Sequence, residues 1–252
     1  MYGTWHEALS IQEWTSYMGA KGYLAACIET VSIRLPYQIT AASNHTKNML
    51  ASRHKRTKRV SVVASGIDTE LISSVAPVAD QCDVLYVGRL VKDKNIDKMI
   101  LAFEIIAKKN KNAQCVIIGH GIEKDNLVNL ITERKLTKCV RILDPLPSDV
   151  DVYAYMKKAS VFVLPSTREG FGIVALEALA CGTPVVTSNV ATNAARHLIA
   201  DGETGSIVSI SPAEIAKAIE TWLKNAENYT CNESHLEYDW QKIAVNQVGV
   251  YV

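Results

Sequence analysis

The sequence predicts a doubly wound, parallel α/β sheet, and three observations carry that prediction. From residue 83 onward, strand-like and helix-like segments alternate without a break. The strand-like segments are short, apolar and rich in β-branched residues, as strands covered on both faces are. The helical segments are amphipathic; Ile96, Met99, Ile100, Phe103 and Ile106 fall on one face of the first.

Element by element, 83–87 reads as a strand ending at Gly88, and 95–108 as the helix just described. A second strand over 114–118 closes at Gly119-His120-Gly121, and 123–135 is helical. Strands over 140–143, 161–164 and 184–187 follow, separated by helices over 148–158 and 172–180. The helix over 212–224 has proline in its first turn, where the missing N–H costs nothing. The first 70 residues are mostly helical, with sheet-like pieces only at 33–43 and 58–68, and 68–80 reads as a linker. Four residues before Trp5 are too few for a complete strand, so this part reads as the end of a domain whose beginning lies elsewhere.

Composition narrows the class. Of 252 residues, 48% are hydrophobic and 21% charged, as in an ordinary soluble globular protein. A net charge of +1 gives no reason to expect nucleic acid as a partner. Cys27, Cys82, Cys115, Cys139, Cys181 and Cys231 show no metal-binding spacing, which fits free thiols in a reducing compartment. With no long apolar span and no signal-peptide pattern, the expectation is a soluble, cytoplasmic protein.

In a doubly wound sheet, ligands bind beyond the carboxyl ends of the strands, and three motifs converge on that edge. The stretch 166–188, STREGFGIVALEALACGTPVVTS, holds Glu169 and Glu177 eight residues apart. A helix starting near Gly172 aims unpaired N–H groups and a positive dipole end at the edge, which suits a diphosphate. Gly170 and Gly172 permit close backbone approach. A carboxylate on each side of that helix start adds hydroxyl recognition, so a ligand with both phosphate and hydroxyls fits, such as a nucleotide sugar. The plain alternative is a surface helix with solvated glutamates.

The second motif, VLYVGRLVKDKNID (84–97), sets Arg89 after a strand and glycine, with Lys94 five residues on. Two cations there neutralise a leaving diphosphate without metal; otherwise they are solvated strand-end charges. The third, Gly119-His120-Gly121, lacks the further glycine a dinucleotide fingerprint needs, because Lys124 stands there. Asp144 could still imitate a ribose-binding acid, which keeps a dehydrogenase as a remote reading. The Gly119 and Gly121 turn is expected to be tight and to let a ligand lie close. The run SRHKRTKR (52–59) carries five Lys or Arg in eight residues. It is a solvated helix end or, alternatively, a contact to an anionic membrane surface.

With these residues in place, the chain resembles the family-four retaining glycosyltransferases, whose GT-B fold has two facing Rossmann-like domains. The paired glutamates of that family are matched by Glu169 and Glu177, its phosphate-binding cations by Arg89 and Lys94, and its diphosphate-facing amides by Gly172, Ile173 and Val174. Leu143 falls where the family holds the nucleobase, with Gly119, Gly121, Gly170 and Phe171 around the donor. His6 falls where many members carry a histidine near the donor sugar. DGETG (201–205) and EYDWQKIA (237–244) also match. Three departures are the N-terminal domain, expected here only as its last ~70 residues, Ser65-Gly66-Ile67-Asp68 before the linker, and His197 in place of a glutamate.

The resemblance implies residues 1–68 as the remnant of an acceptor-side domain, 69–80 as linker, 81–228 as the nucleotide-sugar-binding domain and 229–252 as a crossing helix. It implies transfer of a sugar from a nucleoside diphosphate donor to a saccharide or lipid-linked acceptor with retained configuration, needing neither cofactor nor metal. Glu169 as a covalent nucleophile is the weaker mechanistic option. A non-catalytic nucleotide-sugar-binding fragment and a sugar-nucleotide epimerase of the same fold stand as alternatives.

Overall fold

The structure is a computed structural model that describes residues 2–54, 60–225, 229 and 233–251. Most of the basic run at 52–59 lies outside the described residues, as does Cys231. The chain divides into two compact units, residues 1–66 with 240–252, and residues 67–239.

The first unit is a three-stranded parallel sheet, ordered β1 (Tyr2–Trp5), β2 (Gln38–Ala41), β3 (Val60–Val62). Contrary to the sequence reading, the residues before Trp5 do form a strand. They need match only the four-residue β2, pairing Tyr2 with Gln38 through Trp5 with Ala41, and Thr4 and Thr40 bond through their hydroxyls at 2.9 Å. Helices α1 (Ile11–Met18), α2 (Lys21–Arg34) and α3 (Asn44–His54) connect the strands, and α10 (Trp240–Tyr251) belongs to the same unit. Ser10 and Glu13 close a capping box at α1. Helix α2 buries Ala26 and Ile33 and leaves Leu24, Ile28 and Val31 exposed, so its sequence shows no one-sided pattern.

The second unit is the predicted doubly wound sheet. Its strands are β4 (Val84–Val87), β5 (Cys115–Ile118), β6 (Val140–Leu143), β7 (Val161–Leu164), β8 (Val185–Ser188) and β9 (Gly205–Val208). All pair in parallel, in the order β6-β5-β4-β7-β8-β9. Helices α5 (Ile96–Lys109), α6 (Lys124–Glu133), α7 (Asp149–Lys158), α8 (Ile173–Ala180) and α9 (Pro212–Asn225) cover it. The residues read as one face of the first helix, Ile96 through Ile106, are buried in the core of this unit. Cys82 and Cys115 are buried there as free thiols, and burial pushes the Cys82 thiol up to about 12.

Two features were not foreseen. A short α4 (Thr69–Ser74), capped by Asp68 accepting from Leu71 N at 2.8 Å, occupies the stretch read as linker and buries Ile72. Strand β9 adds a sixth, edge strand, whose Ser206, Ile207 and Val208 are only half-buried. Among the described residues, no helix is long and apolar enough to cross a membrane.

Because consecutive strands run outward from β4 in one direction and from β7 in the other, the winding reverses between these two neighbours. In doubly wound sheets the ligand crevice lies outside the carboxyl ends of the two strands at such a reversal, here β4 and β7.

Candidate functional site

Both loops at this crevice carry predicted site residues. After β4, Gly88 and Arg89 lead into a single 3₁₀ turn, Lys92–Lys94, ending at Asn95 in the left-handed region (φ 50°). After β7, Pro165–Gly172 leads into α8. The two loops meet at a buried ion pair, with Lys94 Nζ donating to Glu169 Oε1 at 2.7 Å. The side chains are only 10% and 14% exposed. Lys94 Nζ also donates to the Arg168 carbonyl at 3.2 Å, and Glu169 Oε1 accepts from Ser166 Oγ at 2.7 Å.

The main chain of Glu169 is held as firmly as its carboxylate. Its N–H donates to the Thr192 carbonyl at 3.1 Å, and its carbonyl accepts from Ala194 N at 2.9 Å. Under this bridge lies a polar framework that sequence reasoning missed. Asn193 Nδ2, fully buried, donates to Thr187 Oγ1, the Ser188 carbonyl and Ser188 Oγ, while its Oδ1 accepts from Ala195 N. Ser188 Oγ donates to the Ser166 carbonyl at 2.6 Å. Buried polar groups satisfied this completely rigidify what rests on them. The available signal was a pair of hydroxyl residues ending an otherwise apolar strand.

Gly172 begins α8 with φ 89° and ψ 47°, and a Cβ there would lie 2.3 Å from Ala195 Cβ. Both the backbone angle and the contact require glycine. The sharp start leaves the N–H groups of Ile173 and Val174 without intrahelical acceptors, at the positive end of the helix. Gly170 and Phe171 complete the loop, and the Phe171 ring packs on Tyr238 with centroids 5.8 Å apart.

Glu177 lies on α8 beside α7. Tyr153 Oη donates to its Oε1 at 3.2 Å. Burial pushes the Glu177 carboxyl up to about 7; the Tyr153 hydrogen bond opposes this, and Asp149 adds to it. Burial likewise pushes the Tyr153 phenol up, with the Glu177 charge adding to the rise.

Other predicted residues take different places. Arg89 is exposed, and among the described residues its guanidinium meets no carboxylate. Gly119 and Gly121 lie against the loop after β4: a Cβ would stand 1.9 Å from the Gly88 carbonyl and 2.2 Å from that of Leu90, respectively. Their close approach is to protein main chain, where Leu90 N donates to the His120 carbonyl at 2.8 Å. The Leu143 carbonyl accepts from Gly119 N at 3.0 Å, and exposed Asp144 pairs with Lys124. His6 lies in the first unit, where its carbonyl accepts from Thr46 Oγ1 at 3.2 Å. Among the described residues, no group of three His, Cys, Asp or Glu is placed to hold a metal ion.

The edge thus brings together a buried cation, a carboxylate fixed beside it and a helix start with free N–H groups, while a second carboxylate sits further along that helix. Chemically, a cation and helix-start N–H groups can receive an anion, and carboxylates can accept from hydroxyls.

The family model described as "Glycosyl transferases group 1" matches residues 68–233. Glycogen synthase of Mycobacterium tuberculosis is 29% identical over 204 residues, covering 77% of this chain and 48% of that protein. An uncharacterised glycosyltransferase of Methanocaldococcus jannaschii is 34% identical over 185 residues, 71% of this chain and 46% of that one. The chain thus spans about half the length of these curated relatives. Among solved structures, sucrose-phosphate synthase from Thermosynechococcus elongatus superposes with a TM-score of 0.82 at 22% identity, over 99% of this chain and 66% of that one. Anabaena HepE in complex with UDP and glucose gives 0.80 at 21%, over 99% and 70%. These structural likenesses are likenesses of fold. The family match, spanning most of the second unit and both loops of the crevice, establishes that the chain belongs to the group 1 glycosyl transferases.

Proposed function

We propose that the protein moves a sugar from a nucleoside diphosphate sugar to a saccharide or lipid-linked acceptor, with retention of configuration. The observation that carries this reading is the Lys94–Glu169 pair at the switch point, beside the α8 start at Gly172. A donor diphosphate placed there meets Lys94, Arg89 and the Ile173 and Val174 amides. Glu169 accepts from the sugar hydroxyls and orients the anomeric carbon, and Glu177 accepts from the ribose hydroxyls. His6 enters the proposal on resemblance alone.

In the reaction, the bond from the anomeric carbon to the phosphate oxygen breaks and its electron pair leaves with the diphosphate. The acceptor oxygen bonds to the anomeric carbon on the face just vacated, and its proton passes to the departing phosphate oxygen. Charge accumulates on the diphosphate as the bond breaks, so groups that stabilise it lower the barrier. Removing one such preorganised donor typically costs about 10²–10³ in rate. Lys94, Arg89 and the helix start supply this stabilisation without a metal, and neither metal nor cofactor has a part in the scheme. Cytoplasmic placement belongs to the same proposal; it accords with the five described cysteines being free.

A second reading is donor binding at the same residues without turnover. A thermal-shift panel of UDP-, GDP- and ADP-sugars tests the shared claim, since a ligand bound only by the native state raises its melting temperature. A sugar-dependent rise supports donor binding; no rise with any of them contradicts both readings. Release of free nucleotide only when acceptor is added then favours transfer over binding alone.

A further inference from the structure

Lys94 reaches Glu169 from a turn that a single neighbouring side chain fastens in place. Asn95 Nδ2 lies 2.9 Å from the Pro165 carbonyl, 2.8 Å from Thr167 Oγ1 and 3.3 Å from the Asp93 carbonyl. Two of these acceptors belong to the loop after β7 and one to the Lys94 turn itself. A main-chain bond from Thr167 N to the Asp93 carbonyl at 2.8 Å runs alongside. The next link outward is Thr192 Oγ1 donating to the Thr167 carbonyl at 2.6 Å, on the segment that also holds the Glu169 main chain.

We propose that Asn95 is a positioning residue for the site, its side-chain amide latching the Lys94 turn onto the loop that carries Glu169.

The position makes two demands at once. Its backbone is left-handed (φ 50°, ψ 39°), so that the chain reverses between the 3₁₀ turn and α5; glycine, asparagine and aspartate accept this region best. Its side chain must also present two N–H donors to acceptors on the facing loop. Glycine meets only the first demand, and aspartate offers acceptors where donors are required. Asparagine meets both. The amide makes no bond to Lys94, so its effect on a bound diphosphate is exerted through the place it gives the Lys94 ammonium. This inference rests on the proposed role of Lys94 at a diphosphate.

Two variants and two readouts test it. Asn95→Gly keeps the left-handed turn and deletes the latch; Asn95→Asp keeps the turn and shape but reverses the hydrogen-bonding sense. The first readout needs no ligand: acetylation of Lys94 by acetic anhydride, followed by mass spectrometry. The buried amine of the unaltered chain should react slowly, and Asn95→Gly should raise its rate about tenfold while the melting temperature stays within a few degrees. The second is calorimetric titration with uridine, guanosine and adenosine and their diphosphates. Both variants should lose about tenfold for the diphosphate that binds while holding the parent nucleoside equally well. Because Asn95 acts through Lys94, Asn95→Gly should add little to Lys94→Ala in the double variant. Unchanged Lys94 reactivity overturns the latch, whatever the ligands do. So does a parallel loss for nucleoside and diphosphate, which marks a general structural role, or full additivity with Lys94→Ala. If no diphosphate binds the unaltered protein but Lys94 reactivity rises in Asn95→Gly, the latch stands and the donor assignment fails.

Discussion

Lys94 Nζ and Glu169 Oε1 lie 2.7 Å apart, joining opposite charges from the loops after β4 and β7 at the sheet's switch point. Neither charge has much access to water, so each depends on the other. The pair stores in one contact the two functions proposed for the crevice, a cation for phosphate and a carboxylate for hydroxyls. Lys94→Ala or Glu169→Ala alone strands a buried charge and should destabilise the protein by about 3–5 kcal/mol in urea unfolding. Lys94→Met combined with Glu169→Gln removes both charges and should recover much of that stability while leaving donor binding lost. A double variant no more stable than either single variant would show that the pair does not bear on folding in this way.

Glu177 should oppose stability to function. An unfolded glutamate titrates near 4.5 and the folded Glu177 near 7, so between these values the folded chain holds the extra proton. Stability therefore falls as pH rises through that window, by on the order of 2–3 kcal/mol once pH exceeds about 7. Glu177→Gln should raise the melting temperature at pH 8, with the gain vanishing near pH 4, and should weaken nucleotide-sugar binding at pH 8. In the unaltered protein, donor affinity should increase as pH passes through about 7, because the ribose hydroxyls need the ionised acceptor. A flat pH profile, or Glu177→Gln binding as tightly as Glu177, would remove the ribose assignment.

Gly172 faces two separate restrictions, its left-handed backbone and the 2.3 Å approach to Ala195. Gly172→Ala should destabilise by about 1–3 kcal/mol, the usual cost of a strained backbone conformation. Adding Ala195→Gly removes the nearest atom but leaves the main-chain Cα of residue 195 at 2.9 Å and the backbone angle unchanged, so it should restore part of the loss and not all of it. Complete restoration, read by thermal unfolding, would mean that the Ala195 methyl alone accounts for the cost.

Much of the second unit was legible in the sequence because its strands are buried on both faces and its helices on one. Strand β9 was not, since a four-residue edge strand with three half-buried residues, preceded by the turn-forming Asp201–Thr204, lacks the continuous apolar run that marked its neighbours. Strand β1 escaped for a related reason: its existence depends on pairing with β2 and not on its own length. At the site, the carboxylates, cations and helix start could be read one by one, and the strand order placed them at one edge. The Lys94–Glu169 contact, 75 residues apart in sequence, could not be read from spacing. Nor could the Asn193 framework, because Thr187 reads as an ordinary strand end and Ser188 and Asn193 as ordinary turn residues until their burial is known. At the glycines 119 and 121 a need for close approach was legible, but not that the Gly88 and Leu90 main chain, respectively, would lie against them.

The central claim, that the switch-point crevice holds a nucleoside diphosphate through Lys94, is tested most directly by calorimetric titration of UDP, GDP and ADP into the unaltered protein and Lys94→Ala. At least one diphosphate should bind the unaltered protein, and its affinity should fall about 10- to 100-fold in Lys94→Ala, the worth of one charge-assisted hydrogen bond. Equal affinities in the two proteins, or no binding of any diphosphate to the unaltered chain, would contradict it.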